Sequence, residues 1–161
     1  MSLRLRPLRR LDSGEVEALA RLWHETKRAA YPYLPLEQGR TLSEDLEFLQ
    51  TRLLPACSEV WVAVLEDALC GFLALEGDCL DRLYVHPCHQ GQGVGSALWE
   101  QALALRPDGF ELYTHVANSQ ARAFYEARGC EAVAFGASPP PESMPDVLYR
   151  WGCGPADAPP L

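Results

Sequence analysis

Positive charge is scarce in this chain. Fourteen Lys and Arg stand against twenty-two Asp and Glu, a formal net charge of −8. That balance argues against non-specific nucleic-acid binding, which draws its affinity from neutralised phosphates. It leans toward a cationic partner such as an amine, and solubility would account for it equally well. Long apolar runs are missing too, so no segment reaches the ~20 residues of a membrane span. The N-terminus carries Arg4, Arg6, Arg9 and Arg10 and lacks the apolar core of a signal peptide. There is no Cys-x-x-Cys pair among Cys57, Cys70, Cys79, Cys88, Cys130 and Cys153, and four of the six lie in or beside apolar strands, where cysteine acts as a small hydrophobe. His86 and His89 flank Cys88, but no second ligand cluster accompanies them, and no metal is expected. No internal repeat is visible. Cysteines patterned as small hydrophobes, with no signal-peptide core at the N-terminus, make the cytoplasm the expected compartment.

What is present suits one domain. At 161 residues, 48% hydrophobic and 22% charged, the chain can bury a sizeable core. Residues 1–152 are expected to form that domain, with 153–161 as a loose tail. Leu3 to Leu8 alternates as a first strand. Asp12 and Glu15 resemble a capping box ahead of Val16, Leu19, Ala20 and Trp23 at helical spacing, and this helix should end before Pro32. A rigid aromatic loop through Tyr31 and Tyr33 precedes a second helix, capped by Thr41 and Glu44. Val60–Leu65, Leu69–Leu75 and Cys79–Val85 read as a meander of three strands joined by short turns. Phe110–Val116, Cys130–Phe135 and Val147–Trp151 read as three more. The proline-rich segment 138–145 between the last two is unsuited to a strand interior.

The stretch that organises the chain is Leu80 to Leu98. Leu80, Leu83, Tyr84 and Val85 form a buried-strand run that Pro87 stops; Gly91, Gly93 and Gly95 follow; then Val94, Ala97, Leu98, Ala102 and Leu105 repeat at helical spacing. Strand, glycine loop and helix place bare backbone N–H groups at a positive helix end, which suits anionic oxygens and above all a pyrophosphate. A P-loop requires Gly-Lys before Ser or Thr, and no lysine stands between Gly95 and Ser96. A dinucleotide fingerprint would accept Gly91, Gly93 and a distant Glu111, but Ser96 occupies its third glycine position and no opening βαβ unit precedes it.

Gln90-Gly91-Gln92-Gly93-Val94-Gly95 resembles the Gln/Arg-x-x-Gly-x-Gly/Ala signature of the GNAT superfamily of acyl-CoA-dependent N-acetyltransferases. A second block, Asn118-Ser-Gln-Ala-Arg-Ala-Phe-Tyr-Glu-Ala-Arg-Gly129, is similar to that family's Asn-x-x-Ala-x-x-Phe-Tyr-x-x-x-Gly segment. Read alone, the block is a helix capped by Asn118, stopped at Gly129, with Ala121, Phe124 and Tyr125 on one face. The resemblance implies an α+β fold: a mostly antiparallel central sheet of about seven strands, flanked by about four helices, with the fourth and fifth strands splayed apart.

It also implies a function, an N-acetyltransferase using acetyl-CoA as co-substrate. The acetyl group would pass to a primary amine on a small molecule or peptide by direct attack in a ternary complex. Leu83, Tyr84 and Val85 would face the pantetheine arm through their main chains. Gln90, Gly91, Gln92, Gly93, Val94, Gly95 and Ser96 would hold the pyrophosphate, and Asn118 would touch the cofactor while capping its helix. Tyr125 matches the tyrosine that serves as general acid toward the sulfur; an unperturbed phenol, with a pKa of about 10, stays protonated at neutral pH. Asp81 on the fourth strand is the candidate base, with Glu76, Asp78 and Glu111 as competitors and a plain ion pair to Arg82 as the structural reading. Trp23, Tyr31 and Tyr33 are candidate acceptor-pocket residues, with simple core packing the preferred reading for Trp23. Tyr113 stands where members that acetylate protein N-termini carry an acid, which points away from that activity. Cys130 replaces the aromatic usual after Gly129, a packing variation. A non-catalytic acyl-CoA-binding module is the alternative, and homodimerisation and the acceptor's identity stay open.

Overall fold

A computed structural model describes residues 2–152. The expected tail at 153–161, with Cys153, lies outside the described residues. Elements follow in the order β1 (Leu3–Pro7), α1 (Ser13–Ala30), α2 (Pro35–Gln38), α3 (Leu42–Phe48), a wide π turn (Leu49–Leu53), α4 (Leu54–Ala56), β2 (Glu59–Leu65), β3 (Ala68–Glu76), β4 (Cys79–Val85), α5 (Val94–Leu105), β5 (Gly109–His115), α6 (Ser119–Ala127), β6 (Glu131–Ala137) and β7 (Pro145–Gly152). The seven strands are ordered β1-β2-β3-β4-β5-β7-β6. Pairs β1–β2, β2–β3, β5–β7 and β6–β7 are antiparallel. β4 and β5 run parallel and register at Cys79↔Glu111, at the head of β4. This is the α+β sheet the resemblance implies; the four longer helices match, and the short α2 and α4 are additions. By contact the chain divides into two compact units. One is the chain up to Gly77 with Asp81–Ala102; the other is Asp78–Leu80 with the chain from Leu103 onward.

In the first unit, α1 starts because Asp12 Oδ1 accepts the Glu15 N–H at 3.2 Å. The box is only half formed. Glu15 turns away to accept the Arg9 N–H at 2.8 Å and to fork onto Arg6 at 2.6 and 2.8 Å, tying β1 to the helix start. The Arg6 hydrogen bond in particular holds the Glu15 carboxyl below the usual glutamate range. The Thr41–Glu44 box is complete, with bonds of 2.9 and 3.1 Å in the two directions. The hairpin β2–β3 turns through Glu66 and Asp67 at φ 50° and 67°, the left-handed pair that a tight hairpin of this twist demands. Leu19, Leu49, Val62, Phe72 and Trp23 form the core beneath it. Burying a side chain such as Phe72 contributes about 1.5–3 kcal/mol.

In the second unit, alternation along β5 and β7 buries Phe110, Leu112, Val147 and Tyr149. Phe110 stacks on Trp151 with centroids 5.6 Å apart. β6 is the outer strand and is exposed along its whole length, Phe135 included. The proline-rich segment is tethered by Glu142, whose carboxylate lies 2.6 Å from His115 Nε2 at the end of β5.

Candidate active site

β3 is buried along its interior, whereas β4 next to it is half-buried at every residue from Asp81 to Val85. β4 lies inside the sheet order and still meets solvent along this stretch. At its end His86 bonds Cys70 O through its N–H at 2.9 Å. Its Nδ1 accepts from Cys88 N at 3.2 Å, which leaves the ring proton on Nε2, facing Glu25 Oε1 of α1 at 2.9 Å. Gln90 folds back so that Nε2 donates to Val85 O at 3.1 Å. The strand exit is therefore fixed by its own side chains.

The loop then reaches α5. Gly91 and Gly93 have φ of +78° and +83°, the left-handed region that glycine occupies without strain. A Cβ built at either would meet nothing within 4 Å, so the space above them is open. The first rung of α5 is Ala97 N–H to Gly93 O at 3.0 Å. Val94 and Gly95 precede that rung, so their N–H groups have no carbonyl within the helix. Val94 and Leu98 are fully buried and point inward. They sit over Gly71 of β3, where an added Cβ would meet Tyr84 O at 2.8 Å, Leu98 at 3.1 Å and Val94 at 3.2 Å. Gly71 thus lets β4 and the cradle helix settle where they are. Open space, left-handed glycines and a positive helix end fit a pyrophosphate.

The tyrosines of this unit gather on one side of β4. Tyr31 and Tyr84 share a hydrogen bond between hydroxyls at 3.0 Å, and Tyr33 meets Tyr31 edge-on at 5.9 Å. Burial holds the Tyr31 phenol well above the usual tyrosine range, so it stays protonated. Arg82 reaches over the Trp23 ring at 5.5 Å, and its Nε stands 3.2 Å from Asp81 Oδ2. Trp23 itself is 3% exposed and stacks near Phe48, which makes it core. Tyr84, expected to act through its main chain, also carries its hydroxyl into this cluster. Cys57, beneath, is pushed up to about 12, chiefly by burial and then by Asp81, and is inert.

In the second unit, Asn118 Oδ1 accepts from Ala121 N at 3.1 Å, capping α6 as expected. Gly129 ends the helix at φ +90°. Tyr125 is 8% exposed, edge-on to Phe124 at 5.4 Å and tilted against Tyr149 at 6.1 Å. Two of the three competing carboxylates have partners: Glu111 binds Arg150 at 2.8 Å and Asp78 lies 3.6 Å from Arg106. The structure thus gathers Asp81, Leu83, Tyr84, Val85, the loop residues Gln90 to Ser96, Tyr31 and Tyr33 in one unit, and Asn118 with Tyr125 in the other.

A family model described as "Acetyltransferase (GNAT) domain" matches residues 56–130. Peptidyl-lysine N-acetyltransferase YjaB of Salmonella typhimurium is 34% identical over 123 residues, covering 76% of this chain and 81% of that protein. Its Escherichia coli namesake is 38% identical over 125 residues, covering 76% and 80%. The chain belongs to the GNAT acetyltransferases. The solution structure of apo-form YjaB from Escherichia coli superposes with a TM-score of 0.76 at 27% identity, over 94% of this chain and 98% of that one. This GNAT protein is an acetyl-CoA-dependent acetyltransferase, with acetyl-CoA as co-substrate. Among the described residues, no helix is long and apolar enough to cross a membrane.

Sequence reasoning passed over Gly71 and Tyr149, and it named Arg82 only as the ion-pair partner of Asp81. Gly71 carried a usable signal, an isolated glycine inside an apolar strand, which marks close backbone approach. Tyr149 had none, since a strand tyrosine is a common core residue.

Proposed function

We propose that this GNAT protein acetylates a primary amine, with the lysine side chain of a peptide as the acceptor class. The observation that carries the reading is the open, left-handed Gly91–Gly93 loop at the head of α5. The names of the YjaB relatives and the acidic balance of the chain support the acceptor. Acetyl-CoA supplies the acetyl group as an activated thioester. Backbone N–H groups from Gly91 to Ser96 hold its pyrophosphate, Leu83 and Val85 offer main-chain pairing to the pantetheine arm, and Asn118 adds a polar contact while capping α6.

Two proton positions then matter. Tyr125 holds a proton on Oη for the departing sulfur, and its mostly buried ring excludes water from that side. Asp81, held as a carboxylate beside Arg82, takes a proton from the incoming ammonium and frees the neutral amine for attack. Tyr31, Tyr33 and Tyr84 form the aromatic wall on the acceptor side; Trp23 supports that wall from the core.

The test is incubation with acetyl-CoA and a mixture of lysine-containing peptides with blocked N-termini, following CoA release and locating acetyl groups by mass spectrometry. Acetyl-lysine should form, and Tyr125→Phe should lower turnover by about 10²–10⁴-fold, the scale of one acid–base group. Tight acetyl-CoA binding without any acetyl-lysine would overturn the acceptor class and favour a binding module.

A further inference from the structure

A second tyrosine, Tyr149, lies against Tyr125. Tyr149 of β7 is completely buried, with its ring centroid 6.1 Å from that of Tyr125 and the planes 44° apart. Its hydroxyl accepts from Arg122 Nε at 3.0 Å and donates to Glu126 Oε2 at 2.5 Å. Arg122 and Glu126 are one turn apart on α6 and lie 3.6 Å from each other. Burial, followed by the bond to Glu126, raises the Tyr149 pKa above the ordinary tyrosine value, so the group remains a donor.

This arrangement is more than packing. A phenylalanine would fill the same space, whereas a buried hydroxyl must be satisfied. Here both its donor and its acceptor capacity go to charged side chains of one helix, and charge-assisted bonds are the stronger kind. α6 is nine residues long, too short to be held by its own backbone, so its roll is set by what it packs on. Tyr125 is the neighbour of Glu126 on that helix, and any roll of α6 carries its ring along.

We infer that Tyr149 is a positioning residue: its hydroxyl fixes the roll of α6 on β7 through Arg122 and Glu126, and its ring bears on Tyr125, so that together they set where the Tyr125 hydroxyl stands. The inference rests on the reading of Tyr125 as the proton donor.

The experiment compares Tyr149→Phe, Tyr125→Phe and the double variant, using acetyl-CoA and the same lysine-peptide mixture. Tyr149→Phe should lower kcat about tenfold with the KM for acetyl-CoA within about twofold, the pattern of a displaced catalytic group. In the Tyr125→Phe background the same change should alter kcat by less than about twofold, because the two act as a unit. Glu126, half-exposed, offers a variant safe for folding: Glu126→Ala should reproduce the loss and Glu126→Gln, still an acceptor, should restore most of the rate. Full kcat in folded Tyr149→Phe beside a slow Tyr125→Phe would overturn the positioning role alone, as would independent, multiplying losses in the double variant. Near-normal turnover of Tyr125→Phe would instead overturn the proton-donor reading. A [13C]tyrosine spectrum decides the geometry without activity: Tyr125 ring resonances should move in Tyr149→Phe, and unmoved resonances would sink the proposal even if no peptide is acetylated.

Discussion

Lys27 Nζ stands 2.8 Å from Asp45 Oδ1 and 3.0 Å from Glu37 Oε2, and all three residues are buried. The other Asp45 oxygen lies 2.7 Å from His24 Nδ1, and the ammonium sits 3.8 Å above the Trp23 ring. The chain's sole lysine on α1 therefore holds α2 and α3, the segments that follow the Tyr31–Tyr33 loop. Replacing it removes the cation the two carboxylates share, leaving Glu37 with Arg40 at 3.7 Å and Asp45 with the His24 ring. Lys27→Met should cost about 3–5 kcal/mol in urea denaturation. Adding Asp45→Leu and Glu37→Gln should recover most of that, since apolar replacements of buried ions are often neutral. A single variant as stable as the parent would show that the network holds nothing.

Gly71 supports the cradle from below. An added Cβ meets backbone, Tyr84 O at 2.8 Å, before it meets the movable tips of Leu98 and Val94. Backbone cannot swing aside as a side chain can, so β4 or α5 must shift. Gly71→Ala should destabilise by about 1–3 kcal/mol, as overpacking does. Calorimetry should also show weaker acetyl-CoA binding, because the proposed phosphate cradle uses the N–H groups at the head of α5. Unchanged affinity would mean that the shift is absorbed elsewhere.

The sequence revealed most where a local rule left a local mark. Pro87 and the glycines at 91, 93 and 95 bounded β4 and α5, Thr41 with Glu44 announced α3, and Asn118 with Gly129 bracketed α6. What escaped depends on partners distant in sequence. Asp45 reads as the polar face of an amphipathic helix, yet it is fully buried because Lys27, eighteen positions earlier, comes to meet it. Glu15 reads as half of a capping box, but Arg6 outbids the Asp12 backbone for its carboxylate. Tyr149 reads as one more apolar strand position, since nothing near it in the chain foretells Arg122 and Glu126.

The Glu15 pair makes stability depend on pH. Its folded pKa is depressed by the Arg6 hydrogen bond and the Arg9 N–H, so the unfolded state binds the proton more readily. The stabilisation is therefore fully present above the ordinary glutamate pKa of about 4.3 and is lost as pH falls through the lower folded value. Glu15→Gln should be less stable than the parent at pH 7, and the gap should close in acid. Urea midpoints measured for both proteins across that range check it; a gap that stays constant would assign the effect to packing.

Gly93 gives the sharpest test of the cradle. Its φ of +83° strains any side chain, and the space around its missing Cβ is open. Gly93→Ala measures the strain alone, about 1–2 kcal/mol, and should weaken acetyl-CoA binding only modestly. Gly93→Asp adds a carboxylate at the head of α5. An acid at a helix N-terminus is favourable, by about 0.3–1 kcal/mol, so the folded state should offset part of the strain. In the proposed cradle the same charge would face the phosphates. Two unit charges 4 Å apart near a protein surface repel by about 4 kcal/mol, so a loss of up to about 10³-fold in affinity beyond the alanine variant is expected. Titration calorimetry on all three proteins at low and high salt separates the contributions. The alanine effect should ignore salt, and the aspartate excess should shrink as ions screen it. A folded Gly93→Asp protein that binds acetyl-CoA as tightly as Gly93→Ala would remove the phosphates from this loop.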